Sequence, residues 1–124
     1  MNLLQGKQLI KKKGRFEMDN QEVMYTKKEG IATITLNRPD KMNALSPGIF
    51  EGMYKAVEDA SKDNEVRVLV ITGTGRAFCS GADVKALAES AKQPASVKRE
   101  RAVRTPRVHL ALLLQKCEKP VIAA

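Results

Sequence analysis

The chain has 124 residues, of which 43% are hydrophobic, and its formal net charge at pH 7 is +8. This length holds one domain at most, and a hydrophobic share typical of globular proteins excludes wholesale disorder. No apolar run reaches the roughly 18 residues of a membrane span, and the short apolar pairs near the N-terminus do not form a signal-peptide core. The two cysteines lack metal-ligand spacing, and their low number is typical of a reducing compartment such as the cytoplasm.

The positive charge lies in two short basic segments. Residues 1–15 carry +5 and residues 98–107 carry +4, so that the rest of the chain carries −1. We interpret both segments as solvated surface, because no aromatic residues are interleaved as in single-strand binders; nucleic-acid binding is the alternative. Residues 1–20 show no hydrophobic period and are expected to form a flexible basic extension. A domain over residues 21–124 is expected to follow.

A β-hairpin is predicted at the start of this domain. Residues 22–27 alternate in polarity, with Val23 and Tyr25 on one face. Residues 28–30 supply a turn, and the β-branched residues of 31–36 predict the second strand.

A loop, a helix and a third strand are predicted next. Residues 37–41 contain a proline among turn-forming neighbours and indicate the loop. Ser46 can cap a helix that has Pro47 at its first position. The helix carries one apolar stripe, formed by Ile49, Phe50, Met53, Val57 and Ala60.

The apolar run of residues 66–71 predicts a strand covered on both faces, with Arg67 reaching an edge. The order strand, helix, strand favours a right-handed crossover between parallel strands.

A glycine-rich bend over residues 72–81 separates this strand from the next helix. A bend of this kind leaves backbone N–H groups free to bind an anion or a developing oxyanion. The small residues Ser80, Gly81 and Ala82 allow a ligand to approach the backbone closely. Dinucleotide, P-loop and nucleophile-elbow motifs do not fit, because Phe78 and Ala82 occupy positions where those motifs need glycine or lysine. Ser80 is therefore not predicted to be a nucleophile.

The last third of the chain predicts two further helices. Helical spacing of apolar residues begins at Val84, and Pro106 begins another helix. The apolar side of the second helix is predicted to include Val108, Leu112 and Leu113. His109, Cys117 and Cys79 are all interpreted as structural residues, since none has a partner spaced for a triad or a cation to activate a thiol.

Three segments resemble the crotonase superfamily, which comprises the enoyl-CoA hydratases and isomerases. Residues 78–84 resemble that family's first oxyanion-hole segment. Residues 34–45 are similar to its early strand and CoA-contacting loop, and residues 119–124 to the strand before its second oxyanion segment. The resemblance covers about residues 22–124 and implies an α/β, crotonase-like ββα spiral fold. It also implies that this chain is the N-terminal half of the fold, because the family's second oxyanion donor and catalytic glutamates follow these segments.

The resemblance further implies binding of an acyl-CoA thioester, with coenzyme A as part of the substrate and with no separate cofactor or metal. The backbone N–H of Ala82 becomes the first oxyanion donor, and Asp83 a helix cap rather than an acid–base group. By the same resemblance, the residues that contact CoA and substrate are Lys41, Met42, Ala44, Ser80, Gly81, Ala82, Asp83, Val84 and Lys85. The second basic segment could also attract the phosphates of CoA.

Enoyl-CoA hydratase is the first expectation for the full-length protein, which the family predicts to be a trimer or hexamer. Isomerase or other crotonase chemistry is the alternative, since the deciding residues follow Ala124 in the family. A non-catalytic acyl-CoA-binding or interaction module and a basic nucleic-acid binder are the other two hypotheses. Under the first expectation, the 124-residue chain alone is inactive.

Overall fold

The structure, a computed structural model, describes residues 22–98 and 106–124, with the backbone alone for residues 106–109. The predicted extension over residues 1–20, most of the second basic segment and the side chains of Val108 and His109 lie outside these residues. The described elements are, in chain order, β1 (Val23–Lys28), β2 (Ile31–Leu36), a 3₁₀ helix (Pro39–Lys41), α1 (Pro47–Lys62), β3 (Val68–Gly73), α2 (Val84–Ala91), α3 (Pro106–Lys116) and β4 (Val121–Ala123).

The predicted β-hairpin is confirmed. Strands β1 and β2 pair antiparallel along their whole length. The two turn residues, Glu29 and Gly30, have φ values of 52° and 82°. Positive φ at both positions is the geometry of a type I′ turn, whose twist matches that of the flanking strands. Val23 and Tyr25 are both buried, as their alternation predicts.

The described strands form one sheet in the order β1-β2-β3-β4, in which β2, β3 and β4 are mutually parallel. Helix α1 connects β2 to the parallel strand β3, which confirms a crossover between parallel strands, and its right-handedness stays a prediction. Strand β3 begins two residues later than predicted, because the Val66 N–H donates to Asp63 O at 3.1 Å and closes a turn. The side chain of Val66 still enters the core.

The described core lies on one face of this sheet. Leu69 and Ile71 of β3 are buried there, whereas Val68 and Val70 are only half-buried on the other face. The sequence predicts that β3 is covered on both faces. Among the described residues, however, only the face of β3 that carries Leu69 contributes side chains to the core.

Helix α1 begins as predicted and supplies much of the core. The Ser46 hydroxyl accepts a hydrogen bond from the Ile49 N–H at 3.1 Å, and Pro47 occupies the first turn. The buried residues of α1 are Ile49, Gly52, Met53, Ala56, Val57 and Ala60, and Phe50 packs partly buried against them. Each fully buried Ile or Val side chain contributes about 1.5–3 kcal/mol of transfer free energy.

Helix α3 begins at Pro106 as predicted, but the prediction for Leu112 is wrong. Leu110 is 5% exposed and Leu112 is 45% exposed. The helix packs on the core along the face of residues 110, 113, 114 and 117, which is the i, i+3, i+4, i+7 spacing of one helical stripe. Leu112 lies off that stripe. The predicted packing roles of Cys117 and Cys79 are confirmed, since both contact the core cluster.

The parallel arrangement places two loops side by side. Strands β2 and β3 both end at the same edge of the sheet, where Leu36 pairs with Gly73. Residues 37–46 leave β2 at this edge and lead to the N-terminus of α1, and residues 74–83 leave β3 and lead to α2. In open sheets of this type, ligands bind beyond the carboxyl ends of the strands.

Candidate active site at the carboxyl edge of the sheet

Two loops that are far apart in sequence are joined by backbone hydrogen bonds. The Ser80 N–H donates to Met42 O at 3.0 Å, and the Leu45 N–H donates to Gly81 O at 2.8 Å. Leu45 and Ala82 form an isolated parallel β-bridge. The structure therefore brings the predicted CoA-contacting loop and the predicted oxyanion segment together.

Four residues of these loops, Met42, Asn43, Gly75 and Gly81, have left-handed backbone conformations. Met42 and Asn43 have φ values of 51° and 55°, and Gly81 has a φ of 99°. Consecutive non-glycine residues in this region are uncommon, and backbone strain of this kind concentrates at functional sites. A Cβ atom on Gly81 would meet nothing within 4 Å. Glycine is thus required at position 81 by the backbone conformation and not by lack of space.

The side chain of Asn43 holds the two loops from inside. It is fully buried. Its Nδ2 donates to Thr74 O at 3.0 Å and to Ala77 O at 2.8 Å, and its Oδ1 accepts from the Arg38 N–H at 2.8 Å. Both amide protons and the carbonyl oxygen are used, so Asn43 satisfies three backbone groups that the loops leave without a strand or helix partner.

The side chain of Arg38 connects the two loops from outside. Its Nη1 donates to Ala44 O at 2.8 Å and to Asp83 Oδ2 at 3.0 Å, and its Nε lies 3.4 Å from Glu22 Oε1. The Arg38 and Asp83 side chains are 16% and 17% exposed. A guanidinium group supplies this set of donors in a fixed planar arrangement, which an ammonium group cannot reproduce.

Asp83 caps α2, which confirms its predicted role as a helix cap. Its Oδ1 accepts from the Lys85 N–H at 3.0 Å and from the Ala86 N–H at 3.3 Å. The hydrogen bond from Ala86, followed by that from Arg38, holds the pKa of the Asp83 carboxyl below its usual value of 3.8. The carboxylate is therefore ionised at neutral pH and is engaged through both oxygens.

The backbone N–H of Ala82 belongs to an exposed residue at the junction of the two loops. Among residues 22–98 and 106–124, no oxygen accepts a hydrogen bond from it. The carbonyl of the same peptide unit, Gly81 O, accepts from Leu45. Because the two dipoles of a trans peptide point in opposite directions, the Ala82 N–H points away from the 42–45 loop. A free, fixed donor of this kind can stabilise negative charge on a ligand oxygen.

The remaining predicted site residues lie on the same two loops or in the first turn of α2. Lys41 ends the 3₁₀ helix and Lys85 lies in the first turn of α2, and both are exposed. Met42 and Val84 are 41% and 77% exposed, so they present apolar surface beside the two lysines in sequence. Ala44 contributes its carbonyl oxygen to Arg38. The roles of these residues in binding CoA stay predictions.

Two residues of the site were not singled out from the sequence. Arg38 precedes a proline in a loop and resembles a solvated charge. The sequence offered one indication for Asn43, since asparagine tolerates the left-handed backbone conformation of a tight loop better than most residues. Neither pattern indicates the partner across the loop. Among the described residues, no three His, Cys, Asp or Glu side chains are grouped to hold a metal ion, and none of the described helices has the length and apolar character to cross a bilayer.

Comparison with known proteins assigns the arrangement to a family. A family model for enoyl-CoA hydratase/isomerase matches residues 26–124. The chain belongs to the enoyl-CoA hydratase/isomerase family. This confirms the predicted superfamily.

Three proteins illustrate this family relationship. The chain is 36% identical over 107 residues to a probable peroxisomal enoyl-CoA hydratase 1 of Arabidopsis thaliana, covering 85% of this chain and 37% of the relative. It is 35% identical over 103 residues to a mitochondrial 3-hydroxyisobutyryl-CoA hydrolase of Gallus gallus, covering 82% of this chain and 26% of the relative. The crystal structure of an enoyl-CoA hydratase/isomerase from Xanthobacter autotrophicus Py2 is 35% identical, with a TM-score of 0.71 over 83% of this chain and 38% of that chain. The crotonase-type α/β fold is thereby confirmed, and this chain spans about a third of the length of these family members.

Proposed function

We propose that this chain supplies the acyl-CoA-binding loop and the first oxyanion donor of an enoyl-CoA hydratase. The single observation that carries the proposal is the Ala82 N–H, which belongs to an exposed residue and has no acceptor among the described residues. It lies at the carboxyl edge of the sheet, in a segment whose neighbours are fixed by hydrogen bonds to Met42 and Leu45. Family membership supports acyl-CoA thioesters as the substrate class.

The proposed chemistry follows from the position of this donor. Hydration adds a hydroxyl group to C3 and a proton to C2 of an enoyl thioester, and the thioester oxygen carries negative charge in the intervening enolate. A donor that is already fixed needs no reorganisation to meet that charge, and losing one such donor costs about 10²–10³ in rate. In this proposal coenzyme A enters only as part of the substrate, and we propose that Lys41 and Lys85 attract its phosphates.

The test measures the polarisation of a bound carbonyl. The 124-residue chain is titrated with butanoyl-CoA carrying ¹³C at the thioester carbon, and the carbonyl stretch is recorded by difference infrared spectroscopy. We expect the bound carbonyl to absorb at lower frequency than the free thioester. Ala82→Pro removes the N–H and should abolish this shift, whereas the matched control Ala82→Ser keeps the N–H and should retain it. A shift that survives Ala82→Pro in a folded protein contradicts the assignment.

Incubation of the full-length protein with crotonyl-CoA and with a 3-enoyl-CoA separates the alternative functions, because the 124-residue chain alone is expected to be inactive. Formation of a 3-hydroxyacyl product indicates a hydratase, and migration of the double bond indicates an isomerase. Release of free thiol indicates a thioester hydrolase, the activity in the name of the chicken relative. Binding without any of these products favours an acyl-CoA-binding module.

A further inference from the structure

Arg38 begins a chain of hydrogen bonds that ends at the proposed oxyanion donor. Arg38 Nη1 donates to Ala44 O at 2.8 Å. The same peptide unit carries the Leu45 N–H, which donates to Gly81 O at 2.8 Å. That second peptide unit carries the Ala82 N–H. One cation is therefore connected to the free donor through two peptide groups placed head to tail.

This order of bonds has an electrostatic consequence. A cation that donates to a carbonyl oxygen withdraws electron density from the peptide group, and this makes the N–H on its other side a stronger donor. Hydrogen bonds linked in this way strengthen one another cooperatively. Each link in the chain runs in the direction that increases the positive character of the Ala82 N–H.

Arg38 is held in place through both its backbone and its side chain. The backbone of Arg38 is clamped by Asn43, whose Oδ1 accepts from the Arg38 N–H at 2.8 Å and whose N–H donates to Arg38 O at 2.9 Å. The guanidinium is held by Asp83, whose other oxygen caps α2. Because both side chains are mostly screened from water, their attraction is stronger than that of an exposed ion pair.

We propose that Arg38 is a positioning residue that orients and polarises the Ala82 N–H through the peptide groups 44–45 and 81–82. This inference rests on the proposed function of Ala82 for its consequence in catalysis. Its first step, the effect of Arg38 on the Leu45–Gly81 hydrogen bond, is a property of the free protein and is measured without a ligand.

The experiment compares Arg38→Met with Lys27→Met in the 124-residue chain. Lys27 is a matched control, because it forms partly buried ion pairs with Asp59 and Asp63 but lies at the opposite end of the sheet. NMR measures the scalar coupling across the Leu45–Gly81 hydrogen bond and the hydrogen exchange of the Leu45 amide. We expect Arg38→Met to weaken the coupling and to speed exchange about tenfold or more, the size expected for losing a charged hydrogen bond. Lys27→Met should change neither.

A second measurement uses the ¹³C-labelled butanoyl-CoA at saturation. We expect Arg38→Met to reduce the downshift of the bound carbonyl, and Lys27→Met to leave it at the wild-type value. Unchanged coupling and exchange at Leu45 in a folded Arg38→Met protein would overturn the inference, as would equal changes in both variants. If the wild-type protein shows no carbonyl downshift, the proposed role of Ala82 fails, and the Leu45 measurements still decide the role of Arg38.

Asp83→Asn provides the variant for the case in which Arg38→Met does not fold. Asparagine keeps an oxygen that can cap α2 but removes the charge that holds the guanidinium. We expect a smaller change at Leu45 in the same direction. No change there would contradict the proposed link from Asp83 through Arg38 to the donor.

Discussion

Replacing Asn43 with alanine removes the side chain that holds the two site loops together. Three hydrogen bonds are lost, to the Arg38 N–H, Thr74 O and Ala77 O, each between 2.8 and 3.0 Å. At about 1 kcal/mol net for each bond, this loss is about 3 kcal/mol. Alanine at a φ of 55° adds about 1 kcal/mol, because it lacks the short polar side chain that lets asparagine adopt the left-handed region. The expected destabilisation is therefore about 4 kcal/mol, a large part of the 5–15 kcal/mol typical of a domain.

Urea denaturation followed by circular dichroism measures this loss. With a slope of about 2 kcal/mol/M, the midpoint should fall by about 2 M without a change in slope. Asn43→Gly should recover about 1 kcal/mol, since glycine adopts the left-handed conformation freely. The exposed Asn64 provides the control, and Asn64→Ala should change stability by less than about 0.5 kcal/mol. A loss below about 1 kcal/mol for Asn43→Ala, at an unchanged slope, refutes the assigned role of its three bonds.

Two further predictions concern the packing of α3 and the acid stability of the sheet. Leu110→Ala should destabilise the protein by about 2–4 kcal/mol and Leu112→Ala by less than about 0.5 kcal/mol in the same urea assay; equal effects would contradict the observed orientation of α3. The hydrogen bond from Lys27 and then that from the Glu65 N–H lower the pKa of Asp63 below its usual 3.8. The ion pair between Lys27 and Asp63 therefore contributes its full stabilisation of the folded protein above about pH 4. This contribution is lost as the pH falls through the pKa that Asp63 has in the folded state. Urea midpoints between pH 2 and 6 should fall less steeply in Lys27→Met; parallel curves would contradict the contribution of this pair.

Elements with local signals were predictable from the sequence. Alternation in β1 and the glycine at position 30 define the hairpin, and the serine–proline pair at 46–47 marks the start of α1. The start of β3 and the buried face of α3 were not predictable from the sequence, because each depends on contacts that form only in the folded protein. Val66 is as apolar as the strand that follows, and only its hydrogen bond to Asp63 separates it from β3. Leu110 and Leu112 are chemically identical, and only the contact with the core distinguishes them.

The site was predictable as two separate segments but not as one constellation. Each loop was identified by resemblance, and the cap by Asp83 follows from its place before α2. The connection from Arg38 to Asp83 spans 45 residues of sequence. No periodicity or turn signal relates those two positions, since their proximity is a product of the parallel pairing of β2 with β3.

The register of that pairing determines the geometry of the site. Leu36 lies opposite Gly73, so the two loops leave the sheet at the same level. A slip by one residue would displace one loop by about 3.3 Å along the strand, more than hydrogen bonds of 2.8–3.0 Å between the loops can absorb. The same slip would turn the buried side chains of Ala32, Ile34 and Leu36 towards the other face of the sheet. The core therefore stabilises one register, and that register places the Leu45 N–H against Gly81 O. The position of the Ala82 N–H thus depends on the apolar packing of β2.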